Sequence, residues 1–143
     1  MELSKEIFSQ YADIENEICL LERQVEEIEK QIQKLIEDGC VKDKVYGGDG
    51  GIQGYVVEGF PIKEYNRRRK LLRRKHDMIK KRENDLLELQ LAVETMISEI
   101  PVSRDRQVFE LFFIERKTQT EIAKKLFIDQ SIVSKTIKKY FKS

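Results

Sequence analysis

Polar and basic side chains in the last third of the chain are of types that can bond to base edges and attract phosphates. The amide of Gln130 can bond bidentately to adenine, and Lys135 can donate to guanine O6 and N7. Ser131 and Ser134 can bond to base edges or phosphates, and further lysines add sequence-independent attraction. We predict that double-stranded DNA is contacted by Thr118, Gln119, Thr120, Lys124, Gln130, Ser131, Ser134, Lys135, Lys138 and Lys139.

Short helices must position these side chains, and their local signals are present. Thr118 and Glu121 form a capping-box pattern, in which the threonine oxygen accepts a backbone bond and the glutamate returns one. Ser103 and Asp129 are expected to cap the helices that they precede. A short helix, a tight turn and a helix with an exposed polar face predict a helix-turn-helix unit at 101–143. The apolar stripe of the last helix is predicted to be Val133, Ile137, Tyr140 and Phe141.

The first 38 residues carry an unbroken heptad seam, which predicts a coiled-coil helix over about 3–38. The seam alternates spacings of four and three through Ile7, Tyr11, Ile14, Ile18, Leu21, Val25, Ile28, Ile32 and Leu35. β-Branched residues occupy both of its alternating positions, so the pattern leaves the number of packed helices open.

A second coiled-coil helix is predicted over about 62–99, within a basic segment at 61–100. Its seven-residue repeat consists of Leu72, Ile79, Leu86, Val93 and Ile100. Arg68, Lys75 and Arg82 stand where the partner stripe should be apolar, so we expect weaker packing in the first half of this helix.

Opposite charges are segregated along the chain, although its net charge is only +1. Residues 1–38 contain 11 acidic and 4 basic residues, whereas 61–82 contain 2 acidic and 11 basic residues. Two interpretations of the basic run are open, namely pairing with the acidic first helix and contact with the DNA backbone. Both concern the same cations, which are Arg67, Arg68, Arg69, Lys70, Arg73 and Arg74.

A glycine-rich connector at 39–60 separates the two helices and contains all seven glycines of the chain. Short β-prone runs at 41–46 and 55–57 flank the glycines, which predicts a β-hairpin or a flexible connector. The segment lacks the glycine pattern of a phosphate-binding loop, so we predict no nucleotide site there.

Several classes of protein are not expected from the composition. The chain has no apolar run of membrane-spanning length and no signal-peptide pattern at its start. Cys19 and Cys40 form no CxxC motif, and His76 is the single histidine, so we predict no metal, no cofactor and no disulfide framework. No nucleophile and base stand out as a pair, which makes an enzyme an unfavoured interpretation. We expect a soluble protein of a reducing compartment.

The stretch from Arg106 to Lys135 resembles region four of sigma factors. The matching residues are Thr118, Glu121, Ile122, Ala123, Leu126, Ile128, Gln130, Ser131, Val133 and Ser134. With its coiled-coil helix, glycine-rich middle and basic second helix, the chain also resembles the ArpU/RinA-type late transcription regulators of phages of Gram-positive bacteria. This resemblance implies activation of late genes in the cytoplasm of a bacterial host cell, together with contact to the host RNA polymerase.

Two residues depart from the pattern of that family. Arg116 precedes the capping box and Phe127 stands in the turn, where family members usually carry glycine. A phenylalanine is costly at a turn position that favours positive φ. Either the backbone differs at this turn, or burial of the Phe127 ring offsets the strain.

We therefore predict an all-α protein in which a long antiparallel coiled-coil helical hairpin is followed by a C-terminal helix-turn-helix. The favoured function is a sequence-specific transcription regulator that forms a homodimer or a higher homo-oligomer through its coiled coil. A DNA-packaging protein similar to a terminase small subunit is the first alternative, and a ring-sized oligomer would favour it. A coiled-coil adaptor that binds protein and never DNA is the second.

Overall fold

The structure, a computed structural model, describes residues 2–46 and 60–141, with the backbone alone described at 39–46. Its elements are α1 (Lys5–Tyr46), α2 (Ile62–Ser98), α3 (Ser103–Phe109), a π-helical turn (Glu110–Ile114), α4 (Gln119–Leu126) and α5 (Gln130–Tyr140). No strand occurs among the described residues, so the predicted all-helical class is confirmed for this part of the chain.

None of the helices in the described ranges is both long and apolar enough to cross a bilayer.

The first helix is longer than the sequence predicted. α1 continues to Tyr46, so the run at 41–46, predicted as one arm of a β-hairpin, is helical. Extending an established helix adds one hydrogen bond for each residue fixed, and this gain outweighs the weak strand preference of a few β-prone residues. The other predicted arm, at 55–57, lies outside the described residues.

The chain divides into two compact units. Glu17–Arg82 forms what we call the middle unit, and Met1–Asn16 together with Glu83–Ser143 forms the terminal unit. The predicted helix-turn-helix segment at 101–143 is thus only part of the terminal unit, which also contains the start of α1 and the end of α2.

In the middle unit, α1 and α2 pack through the predicted apolar positions. Val25, Ile28 and Ile32 are buried in one cluster with Leu72, and Ile79 packs against that cluster. The polar contacts follow the same pairing, since Arg82 Nε lies 3.1 Å from Glu17 Oε2 and the Arg68 guanidinium donates to Gln31 Oε1. Arg68 also lies 2.6 Å from Glu64 of its own helix.

The heptad seam of α1 is covered within the single chain. Tyr11, Ile18, Leu21, Val25, Ile28 and Ile32 are buried, and Ile7, Ile14 and Leu35 are half-buried. Side chains spaced four and three residues apart share one helix face, so their joint burial follows directly from the sequence.

The terminal unit has an aromatic core that the heptad pattern did not predict. Phe8 is almost fully buried, and its ring centroid lies 5.8 Å from Phe109, 4.7 Å from Phe113 and 5.2 Å from Phe141. Rings at these separations in edge-to-face geometry attract each other beyond the gain from burial alone. Val93 and Ile97 of α2, and Ile100 just beyond its end, belong to the same cluster.

A second core joins α3, the π-helical turn, α4 and α5. It buries Val108, Leu111, Ile122, Ala123 and Val133, while Phe112, Leu126, Ile128 and Ile137 pack against it. Two predicted caps differ in detail. Val102 and not Ser103 is the N-cap of α3, and Asp129 is the N-cap of α5 but its side chain makes no capping bond.

Candidate nucleic-acid interface

The capping box of α4 forms as predicted. Thr118 Oγ1 accepts from the backbone N–H of Glu121 at 3.1 Å, and Glu121 Oε1 accepts from the backbone N–H of Thr118 at 3.0 Å. These bonds lower the pKa of the Glu121 carboxyl, because the backbone N–H of Thr118 stabilises its charged form. The start of α4, with Thr118 and Thr120 exposed and Gln119 half-buried, is therefore fixed by its own sequence.

A three-residue turn, Phe127–Asp129, links α4 to α5 and brings the starts of the two helices together. Thr120 Oγ1 donates to Gln130 Oε1 at 3.3 Å. The N-terminal residues of α4 and α5, which the sequence predicted as contact residues, thus share one exposed edge of the terminal unit. The backbone N–H groups at both helix starts have no partners inside their own helices and suit anionic groups such as phosphates.

One face of α5 is buried and the other is largely exposed to solvent. Val133, Thr136 and Tyr140 are buried, and the Thr136 hydroxyl donates to Ile132 O at 2.8 Å. Ile137 and Phe141, also predicted for the apolar stripe, are half-buried. The buried face therefore contains one residue that the prediction lacked, Thr136. The opposite face exposes Gln130, Ser131, Lys135, Lys138 and Lys139, with Ser134 half-buried.

One of the predicted phosphate contacts, Lys139, already has partners within the protein. Its ammonium lies 3.7 Å from Asp105 Oδ2 and 5.2 Å from the centre of the Tyr140 ring. These contacts offset part of its charge. Lys124, Lys135 and Lys138 are exposed and take part in no ion pair within the described ranges.

A buried polar pair that sequence reasoning missed joins α3 to α5. The Tyr140 hydroxyl donates to Asp105 Oδ2 at 2.5 Å, and both residues are buried. Burial raises the pKa of Tyr140 to about 12, and the bond to Asp105 and its charge act in the same direction. No short-range signal marks this pair, because the two residues are 35 positions apart.

A cleft of about 630 Å³ in the terminal unit collects acidic side chains of α2 and the π-helical turn. The pKa of Glu110 is raised to about 7. Burial is the largest cause, and hydrogen bonding to Glu94 and the charges of Glu94 and Glu115 raise it further. Burial, together with the charges of Glu15 and Glu94, also raises the pKa of Tyr11 to about 12. No prediction from the sequence concerned these glutamates.

Among the described residues, Arg116 and Phe127 adopt positive φ without being glycine, both at φ 57°. Arg116 gains contacts in this conformation, since its guanidinium donates to Asn16 Oδ1 at 2.6 Å and lies 3.9 Å from Glu15. The same guanidinium partly offsets the burial that raises the pKa of Glu15.

Phe127 gains no such contacts. Its backbone keeps the left-handed conformation that closes α4, and its side chain is 94% exposed. Both explanations offered from the sequence are therefore wrong, because the backbone does not avoid positive φ and the ring is not buried. An exposed aromatic ring on a strained residue contributes no burial that would offset the strain.

The basic run of α2 separates into two sets in the middle unit. Arg68 faces α1, where its guanidinium donates to Gln31 and is also paired with Glu64 of α2. Position along the helix decides this, because Arg68 falls on the face that packs against α1. Five predicted cations are exposed and form no ion pair in the described part of the chain, namely Arg67, Arg69, Lys70, Arg73 and Arg74.

Pairing of the basic run with the acidic first helix is thus limited. Arg82 is bonded to Glu17, but within the described ranges no ion pair joins Glu22, Glu26 or Glu29 to the exposed cations. Among the described residues, no group of three or more histidine, cysteine, aspartate or glutamate side chains has a metal-binding arrangement.

No protein-family model and no curated protein matches the sequence, and no solved structure matches the fold.

Proposed function

We propose that the protein is a sequence-specific, double-stranded-DNA-binding transcription regulator in which α4, the turn and α5 act as a helix-turn-helix. The observation that carries this proposal is α5, whose buried face holds it on α3 and α4 while its other face presents polar and basic side chains. A helix anchored in this way can enter the major groove without unfolding its own support.

The side chains have distinct roles in this proposal. Gln130 and Lys135 read base edges, and Ser131 and Ser134 contact bases or phosphates. Thr118, Gln119 and Thr120 place the start of α4 against the DNA backbone. Lys124 and Lys138 attract phosphates, and Lys139 contributes less because it is close to Asp105.

The remaining architecture is proposed as an antiparallel coiled-coil hairpin of α1 and α2. Contacts between Glu17 and Arg82 and between Gln31 and Arg68 support opposite chain directions in the middle unit. A homodimer or higher homo-oligomer is proposed to form through this coiled coil, on faces of α1 and α2 other than the covered seam. By resemblance, the protein acts on phage late genes in the cytoplasm of a bacterial host cell, with the host RNA polymerase as a further partner.

The test is binding of the full-length protein to duplex fragments from around its own gene, compared with random duplexes of equal length. The double variant Lys135→Glu, Lys138→Glu should lose selective binding by at least about tenfold, since it reverses two exposed charges on α5. Lys30→Glu, Lys34→Glu is the matched control, because it reverses two exposed charges on α1.

Equal binding of all duplexes by the wild type, or unchanged selectivity in the α5 variant, would contradict the proposal. The mass of the protein in solution separates the two DNA-binding functions, since a ring-sized oligomer would favour DNA packaging over regulation. An adaptor that binds only protein would bind neither duplex.

A further inference from the structure

A second cationic surface lies on α2 in the middle unit, apart from the residues assigned to sequence reading. We call it the basic stripe and define it as Arg67, Lys70, Arg73, Arg74, Lys80 and Lys81, all of them exposed. At 3.6 residues per turn Arg67, Lys70, Arg74 and Lys81 fall on the side of α2 opposite Leu72 and Ile79, which pack towards α1, and Arg73 and Lys80 flank that side. Asp77 is the one acidic residue among them.

The stripe keeps a like-charge arrangement that the protein itself does not neutralise. Arg67, Lys70, Arg73 and Arg74 each lie three or four residues from another of these four, where like charges repel, and Asp77 stands between them and Lys80 and Lys81. Within the described ranges none of them forms an ion pair, although α1 exposes several glutamates. Arg68 and Arg82, which face α1, are the cations of this run that are paired.

The dimensions and chemistry of the stripe fit a nucleic-acid duplex. From residue 67 to residue 81 the helix rises about 21 Å, a length over which a duplex carries roughly 12 phosphate charges. Three of the six cations are arginines. One planar guanidinium group can donate two parallel hydrogen bonds to the oxygens of one phosphate. Two shallow grooves run between these side chains, one at Arg67, Lys70 and Arg73 and one at Arg74, Asp77 and Lys81.

Other acidic partners fit less well. A helix that lies on a membrane needs a free apolar face. Between 67 and 81, Leu72 is buried, Ile79 packs against the same cluster, and Leu71 alone is a large apolar residue exposed to solvent. Protein interfaces are depleted in charge at their centre, whereas the stripe has charge along its whole length. We infer that the basic stripe binds the phosphate backbone of double-stranded DNA without sequence preference, independently of α5.

The test measures binding of the full-length protein to a random duplex by fluorescence anisotropy across a salt series. Arg67→Gln, Lys70→Gln, Arg73→Gln removes three stripe cations and keeps good helix formers at those positions. We expect the affinity at low salt to fall about tenfold or more. The slope of log K against log salt should become shallower by roughly 2.7, because each phosphate contact contributes about 0.9.

Arg23→Gln, Lys30→Gln, Lys34→Gln is the control, since it removes the same charge from exposed positions of α1. It should bind the random duplex like the wild type, and all variants should keep the wild-type helix content and unfolding temperature. A stripe variant with an unchanged slope, or a control that loses as much affinity, would overturn the inference. The inference would also be overturned if the stripe variant lost binding to anionic phospholipid vesicles or to polyglutamate but still bound the duplex like the wild type.

Failure here is distinguishable from failure of the proposed function. The α5 variant Lys135→Glu, Lys138→Glu is judged by its selectivity between duplexes, whereas the stripe variant is judged by its affinity for a random duplex. If the protein reads sequence through α5 but the stripe makes no contact, the α5 variant loses its selectivity between duplexes and the stripe variant keeps the wild-type affinity for a random duplex.

Discussion

At the scale of single residues, positive φ has different consequences at Arg116 and at Phe127, the two non-glycine positions of the described chain that adopt it. Arg116 and Phe127 have the same φ of 57°, but only Arg116 makes side-chain contacts, with Asn16 and Glu15. The left-handed conformation costs about 1–2 kcal/mol for a residue with a Cβ atom. At Phe127 that cost is not offset by burial, since the ring is 94% exposed.

Phe127→Gly should therefore stabilise the protein by about 1 kcal/mol, measured as the free energy of unfolding in denaturant. Phe127→Ala is the matched control and should change stability little, because it removes the exposed ring but keeps the Cβ atom. Arg116→Gly should gain less than Phe127→Gly, because it also loses the bonds to Asn16 and Glu15. Equal stability of Phe127→Gly and Phe127→Ala would show that the strain is absent.

At the scale of elements, the contact between α2 and the π-helical turn makes stability depend on pH. Glu110 on the turn and Glu94 on α2 line the same cleft, and burial, reinforced by Glu94, raises the pKa of Glu110 from 4.5 to about 7 in the folded protein. The folded state then binds more protons than the unfolded state between these two values. Stability from this group is therefore highest at low pH and falls as the pH rises from about 4.5 to 7.

Glu110→Gln should remove that dependence, because an amide does not ionise. We expect the variant to match the wild type near pH 4.5 and to exceed it at pH 8 by on the order of 1 kcal/mol, after allowance for solvent screening. The measurement is the free energy of unfolding at both pH values. Glu88→Gln, at an exposed position of α2, is the control and should leave the pH profile unchanged. A difference between Glu110→Gln and the wild type that is the same at both pH values would contradict the assignment.

At the scale of the whole molecule, the C-terminal helices depend on parts of the chain far away in sequence. Phe109 and Tyr140 pack in one core with Phe8 of α1 and Val93 of α2, and the backbone N–H of Leu3 donates to Tyr140 O at 2.9 Å. The helix-turn-helix proposed at 101–143 therefore shares its core with the start of α1 and the end of α2.

A fragment of residues 101–143 should not fold by itself, since removing the rest of the chain exposes the aromatic core and the segment is close to the lower size limit of independent domains. Circular dichroism should show little helix in the fragment and a cooperative thermal transition in the full chain. A cooperative transition in the isolated fragment would show that the second core, around Val108 and Val133, is sufficient.

The sequence by itself determined what depends on neighbouring residues. The spacing in α1 predicted the buried seam from Tyr11 to Ile32, and Thr118 with Glu121 predicted the capping box that begins α4. Both succeed because side chains three and four residues apart on a helix share a face, or close a bond within one turn.

Tertiary structure decided what depends on distant residues. Three features depend on residues far apart in the chain. They are the burial of Phe8 among Phe109, Phe113 and Phe141, the bond from Tyr140 to Asp105, and the raised pKa of Glu110. Tertiary structure also separated Arg68, bonded to Gln31, from the exposed cations around it. The local sequence pattern does not show which distant side chains pack over a polar group. That packing removes water from the group, and so decides which partners it needs and whether it is charged.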